Sequence, residues 1–439
     1  MNKYLFTVIV SLMLLYICFI DGVQRDFFVE GGFLLISLYS LFMLNTNDKQ
    51  PFSLFKIFFL FSFFFYGIAP WLQFKEKIFF LTTMPIKFES YILTNLYVFL
   101  FLIAFTLTYN YKKVRIKRNV AINKKINNSK WNPFTIILSF VISVLSFVLV
   151  YYFNDSNIYN LLFRGSDMNT ASLGEQTASL IVNSFIRPIP LIIFILYCYS
   201  AKTNLFLKII FGLLFLSTVF PTSLARLSIA AYYIPVVMLL FPIIRKKNYL
   251  IVTIILGLLI LFPLFGQFRD YNIGTEIRIL DFDSFIREDF DAYHNFAQAV
   301  QANFITFGRQ LLGVCLFFVP RSIWIDKPIG TGHQIADELG FIFPNISATF
   351  PLEGYANFGI FGIVLFAILL ALLCKYSDYK YWEGANNSSL FNVNYLFMIG
   401  MLFFILRGDL LSGTAYTIGL LLSCYFINKV IIGLNKLSI

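Results

Sequence analysis

Residues 89–153 read ESYILTNLYVFLFLIAFTLTYNYKKVRIKRNVAINKKINNSKWNPFTIILSFVISVLSFVLVYYF. Two apolar runs, 89–109 and 132–153, each have the length of a membrane-crossing helix, roughly 17 to 25 residues. Between them stand Lys112, Lys113, Arg115, Lys117, Arg118, Lys124, Lys125 and Lys130, with no acidic residue among them. Positive charge of this density in a short loop marks the cytoplasmic side. The stretch therefore sets both the class of the protein and the direction in which every other segment crosses.

Working outward, further apolar runs of spanning length lie at 4–20, 27–44, 52–73, 179–199, 205–221, 226–244, 249–267, 356–374, 391–406 and 410–428, which brings the expected total to about twelve. Of the 439 residues 59% are hydrophobic and only 13% charged, more apolar surface than a soluble core can cover. The expected fold is an all-α polytopic membrane protein. Counting from the basic loop puts both termini in the cytoplasm, and the cluster Arg245, Lys246, Lys247 falls on that side independently. Lys3 ahead of the first run suggests a signal peptide, but no small-residue cleavage site follows at Cys18, Phe19, Ile20, Asp21, so the run reads as a retained span. The five cysteines are scattered in or beside apolar runs and indicate neither a disulfide frame nor a metal site.

The net charge of +11 is mostly topology, which argues against a nucleic-acid partner. Its distribution says more. Ten of the 13 arginines fall on the outward side, whereas most lysines fall inside. Lysine is a hydrated point charge; arginine presents a rigid fork that matches phosphate and carboxylate oxygens two at a time. An outward face rich in arginine suggests a bound anion.

Between the ninth and tenth runs the chain leaves the membrane for residues 269–355, a length that connections rarely reach without a function. Both histidines of the chain, His294 and His333, are here. Apolar residues from Phe282 to Phe304 recur at helical spacing, so 281–304 is expected as an amphipathic helix on the membrane surface. Asp281 and Asp283 match the DxD pattern of metal-dependent glycosyltransferases, a pattern common by chance, and no metal is assigned. Residues 304–324 are expected as a re-entrant or interfacial segment, with a thirteenth span as the alternative. The run PRSIWIDKPIGTGH (320–333) is stiffened by two prolines and carries Arg321 and Lys327, while Gly330 and Gly332 allow close backbone approach. Its other reading is a simple turn anchored by Trp324. Glu353, just ahead of the tenth span, reads either as a general base or as a helix cap. Arg187 within the sixth span requires a polar cavity or an acidic partner, for which Glu30 is a candidate. Arg226 in PTSLARLS, Arg407 beside Asp409 in RGDLLSG, and Arg164 repeat the same residue type at other outward positions.

The layout of about twelve spans with one large late periplasmic loop, together with FFVPRSIWIDKPIGTG (317–332) and SATFPLEGYANFGIFG (347–362), resembles O-antigen polymerases of the Wzy type. The layout covers essentially the whole chain, and the two motifs with the residues between them cover about 45 residues. The resemblance implies a GT-C-like fold in the bacterial inner membrane. It implies a glycosyltransferase that joins oligosaccharide repeat units carried on undecaprenyl diphosphate at the periplasmic face, without a cofactor. Its partners would be the lipid-linked donor and acceptor and membrane lipids, with a chain-length regulator left open. Members associate substrate binding with an Arg-x10-Gly pattern; Arg321 to Gly332 has that spacing, and Arg164 to Gly174 is one residue short. The related O-antigen ligases use a periplasmic histidine, which makes His333 a candidate beside Glu353. The implied site is thus Glu353 and His333 for catalysis, and Arg321, Arg226, Arg407, Arg187, Arg164 and Lys327 for the diphosphate. An O-antigen ligase and a lipid-linked oligosaccharide flippase are the alternatives. A flippase has no need of so long an outward loop.

Overall fold

The computed structural model describes residues 16–46, 50–80, 84–111, 131–162, 180–200, 203–224, 226–246, 249–261, 282–383 and 389–436, with isolated positions besides. Among them all regular structure is helical. In chain order the helices are α1 (Phe27–Thr46), α2 (Leu54–Lys75), α3 (Phe88–Asn110), α4 (Pro133–Phe153), α5 (Ile158–Leu162), α6 (Val182–Cys198), α7 (Leu205–Thr218), α8 (Arg226–Leu240), α9 (Tyr249–Leu261), α10 (Ala292–Gln301), α11 (Arg309–Cys315), α12 (Thr331–Leu339), α13 (Phe350–Glu383), α14 (Ser389–Arg407) and α15 (Leu410–Lys436). Eight of the described helices are long and apolar enough to cross a membrane, and α6, α8 and α9 are shorter apolar helices. The eleven coincide with eleven of the expected runs; the first run, 4–20, is only partly described.

The helices begin where the sequence supplies caps. Ser53 accepts from the backbone N–H of Lys56 at the start of α2, and Asn132 accepts from Thr135 ahead of Pro133 in α4, so donors that the first turn leaves open are satisfied. α2 is buried along its whole length. Its phenylalanines pack on neighbouring helices, with Phe58 stacked on Phe105 at 3.8 Å between centroids. In a bilayer, apolar surface gains little by leaving lipid, so contact of this kind holds helices together. A π-helical stretch at Phe63–Ile68 widens α2 where Phe64 and Phe65 meet Phe285 and Phe290. α8 packs along α14, and α13 along α3.

Polar side chains tie the bundle at both ends. At one end Asp378 accepts from the backbone N–H groups of Leu54 and Phe55 and from the hydroxyls of Tyr109 and Tyr395, at 2.6 to 3.2 Å. At the other end the buried Lys75 ammonium donates to the carbonyls of Ile17, Cys18 and Ile20 and lies 3.3 Å from Glu30. Glu30 also accepts from Trp71. Glu30 is therefore committed to Lys75 and is not the partner of Arg187.

That second end carries a cap made of residues 282–349, and here the structure departs from expectation. Residues 282–304 do not form one surface helix. Two 3-10 turns, Phe282–Ile286 and Glu288–Phe290, precede the ten-residue α10, whose residues from Ala292 to Val300 are all buried. The polar face that periodicity assigns to water instead bonds to protein: Gln298 to the Met84 carbonyl at 3.0 Å, and Asn295 to the Ser347 carbonyl at 2.9 Å. Gln73 reaches back to the carbonyls of Phe285 and Phe290. Within 304–324 the one helix, α11, has seven residues, about 10 Å of rise, and is too short to span. α13 breaks at Phe358 and Gly359, where Gly359 takes φ of +61°, a left-handed conformation that glycine adopts without a steric penalty. The break separates a buried stub, 350–357, from the long remainder of the helix.

Candidate functional site

The stub of α13, the N-terminus of α12 and the junction of α14 and α15 meet at two carboxyl groups. Glu353 is fully buried. Its Oε2 accepts from the hydroxyl of Thr331 at 2.7 Å and its Oε1 from the backbone N–H of Leu410 at 2.8 Å. Asp409, next in chain to Leu410, accepts from the backbone N–H of Gly332 at 3.1 Å, of Leu411 at 2.9 Å and of Ser412 at 3.3 Å. The first-turn donors of α15 and an N-terminal donor of α12 thus converge on the pair, where both helix dipoles favour negative charge. Burial nevertheless pushes the Asp409 carboxyl up, against the lowering effect of these N–H groups. Two carboxyl groups gathered in one buried setting resist being ionised together.

The glycines of the IGTG run have a structural reason at this point. A Cβ on Gly330 would lie 2.4 Å from Oδ2 of Asp409, and one on Gly332 would lie 2.3 Å from the carbonyl of Ile346. Only glycine lets this turn close on the carboxylate. Glu353 caps a helix, as one of its two readings held, but the helix is α15 and not its own.

The other expected residues are dispersed. His333 is exposed on α12, its Nε2 3.3 Å from Oδ2 of Asp337 one turn on. Arg321 donates from its two terminal nitrogens to the carbonyls of Lys327 at 2.6 Å and Pro328 at 3.2 Å. Lys327 donates to Phe317 and Val319; burial lowers its pKa first, and the Arg321 charge second. The Arg321 fork is thus engaged by its own loop and does not stand open to an anion. Arg407 reaches Oδ1 of Asp291 and the carbonyl of Glu288, both at 3.0 Å, while its Nε is buried with no acceptor among the described residues. Arg187 meets the Thr218 carbonyl, Asn183 and Ser223 at 2.8 to 3.2 Å; neutral oxygens surround it in place of an acid. Arg226 opens α8 three residues after Ser223, and its side chain, like all of Arg164 and Gly174, lies outside the described residues. Of the six expected cations, Arg321 and Lys327 share a loop and Arg407 stands two positions from Asp409.

Sequence reasoning missed Asp409 as the partner of Glu353, and Asp291 as the anchor of Arg407. Asp291 also bonds Asn295 and Ser347. The one available signal was Asp409 itself, directly ahead of an apolar run, which is a capping position. His294 is a core histidine: it is buried with its ring against Phe79 and Phe80, and burial pushes its pKa down to about 4 although Asp291 opposes this. Asp281 lies outside the described residues, and among those described no three His, Cys, Asp or Glu side chains gather as a metal site would require.

A cleft of about 400 Å³ opens beside α12, between residues 302–309 and the Gln334 and Glu338 side chains. It adjoins the stub of α13, because Thr306 in its lining donates to the Ala356 carbonyl from its backbone N–H at 2.7 Å and from its hydroxyl at 2.9 Å. No protein-family model, curated protein or solved structure matches the chain.

Proposed function

We propose that this chain is a glycosyltransferase with twelve spans in the bacterial inner membrane, both termini cytoplasmic and the cap facing the periplasm. It would polymerise oligosaccharide repeat units carried on undecaprenyl diphosphate into O-antigen or a related surface polysaccharide. One observation carries the reading. The two sequence runs that resemble O-antigen polymerases converge on one carboxyl pair, since Thr331 and Gly332 come from the first, Glu353 from the second, and Asp409 closes the group.

The chemistry follows from the substrates. A lipid diphosphate is already an activated leaving group, so the bond from sugar C1 to the phosphate oxygen breaks as the acceptor hydroxyl oxygen bonds to C1. The hydroxyl proton passes to the carboxyl pair, acting as general base. Asp409 keeps some exposure while Glu353 has none; Asp409 faces the acceptor and Glu353 holds and tunes it. Negative charge growing on the diphosphate calls for donors fixed in advance. Arg407, two positions from Asp409 and held in place by Asp291 at 3.0 Å, suits this role best. Arg321 and Lys327 supply charge from the stiffened loop, and Arg187 and Arg226 from the neighbouring helices. A single displacement of this kind inverts the anomeric centre.

A second reading, an O-antigen ligase, draws on the exposed pair of His333 and Asp337, an accessible base of the type that ligases use. Deleting the gene distinguishes the two. A polymerase mutant leaves single repeat units on lipid A core; a ligase mutant leaves none there but accumulates long lipid-linked chains.

A further inference from the structure

The cleft beside α12 has a composition that the carboxyl pair and the arginines do not explain. Its polar lining includes Asn303, Arg309, Gln334 and Glu338, over apolar side chains such as Phe304 and Leu339. The Arg309 side chain makes one bond, to the Asp326 carbonyl at 3.3 Å, while Gln334 donates to Glu338 at 2.7 Å and accepts from Gln310. Nε and NH1 of Arg309 and one Glu338 oxygen therefore have no partner among the described residues. One guanidinium, one carboxylate and two amides are all planar groups that pair with neighbouring hydroxyls, and their charges cancel. A diphosphate would be repelled by Glu338; a polyol would not.

Backbone conformation shapes the same wall. Asn303 and Phe307 take φ of +51° and Gly308 of +88°, so three left-handed residues within six positions fold the strand of chain around the cleft. Asparagine tolerates that region better than other side chains, and such conformations gather at ligand sites.

Register on α12 connects the cleft with the chemistry. Thr331, Gln334 and Glu338 stand at i, i+3 and i+7, one face of a helix. Thr331 touches Glu353, and Gln334 and Glu338 follow at about 4.5 and 10.5 Å of axial rise.

We propose that this cleft is the subsite for an uncharged sugar ring of the acceptor chain, held by Asn303, Arg309, Gln334 and Glu338 so that its hydroxyl points along α12 toward the carboxyl pair. The inference rests on the glycosyltransferase reading and adds to it where the acceptor lies.

The test is saturation-transfer NMR on the full chain in nanodiscs, with methyl glycosides of glucose, galactose, mannose, rhamnose and N-acetylglucosamine as probes and inorganic pyrophosphate as competitor. At least one glycoside binds the wild type, Glu338→Ala weakens that binding at least tenfold, and pyrophosphate does not displace it. Asn303→Gly, which keeps the left-handed turn and removes only the amide, weakens it as well. Because Glu338 is exposed and Asn303→Gly suits the backbone, misfolding is not the source of these losses. No binding by any glycoside, unchanged binding in both variants, or displacement by pyrophosphate overturns the subsite. Failure of the wider reading looks different. If lipid-linked repeat units are polymerised normally by Glu338→Ala, the subsite is wrong and the enzyme reading stands. If the wild type binds glycosides at this cleft but transfers no sugar, the subsite stands and the enzyme reading is wrong.

Discussion

The Thr331 hydroxyl donates to Oε2 of Glu353 across 2.7 Å, joining a residue of the proline-stiffened loop to one at the head of a long helix. Thr331→Val keeps the shape and removes the donor, leaving a buried carboxylate oxygen unpaired at a penalty of about 1–3 kcal/mol. Thermal unfolding of the purified protein is expected at a lower temperature for Thr331→Val, and at the wild-type temperature for Thr331→Ser. Equal stability of the valine and wild-type proteins would mean that the contact contributes nothing.

His294 provides a pH test. In the folded chain its pKa is pushed down to about 4, whereas an unfolded histidine titrates near about 6.5. Between those values the unfolded state binds the extra proton, so stability is complete above about pH 6.5 and declines as pH falls toward 4, by roughly 3 kcal/mol in total. The difference in unfolding free energy between wild type and His294→Phe should shrink in the variant's favour over that window. Parallel pH curves would show that His294 is not buried in its neutral form.

Orientation is checked by labelling. In a background with the five native cysteines replaced, Tyr111→Cys and Ile325→Cys place thiols at positions 68% and 82% exposed at opposite ends of the bundle. A membrane-impermeant maleimide applied to intact spheroplasts should modify only the second. Modification of the first alone would invert the proposed topology.

Arg321 holds two carbonyls of its own loop, and lysine cannot reproduce that fork. Loss of a charge-assisted bond is worth roughly 1.5 to 3 kcal/mol, so Arg321→Lys is expected to lower the polymerisation rate on lipid-linked repeat units about ten- to a hundred-fold, with Arg321→Ala lower still. Activity at the wild-type level in the lysine variant would reduce Arg321 to a topological charge.

The sequence made the helical class and the apolar segments readable, because each is local: length and composition. What escaped it depends on contacts between distant residues. Asp409 lies 56 positions after Glu353, and no periodicity links the two. Helical spacing in 281–304 was real, but its polar residues bond into the protein at Ser347 and Met84, so a pattern that means water in a surface helix means buried partners here. Counting arginines could not reveal that the Arg321 fork is closed by carbonyls six and seven residues on.

In the proposed reaction the pair formed by Glu353 and Asp409 accepts the proton of the acceptor hydroxyl. Chain growth on purified undecaprenyl-diphosphate-linked repeat units, by full-length protein in nanodiscs, tests it most directly when wild type is compared with Glu353→Gln and Asp409→Asn. Glutamine and asparagine keep acceptors for the N–H groups of Leu410 and Leu411, so both variants should accumulate in the membrane. Polymer is expected from the wild type, with activity falling as pH drops through the raised titration of Asp409, and at least a hundred-fold less polymer from each variant. Polymer from both variants at the wild-type rate, with loss in His333→Ala instead, would contradict it.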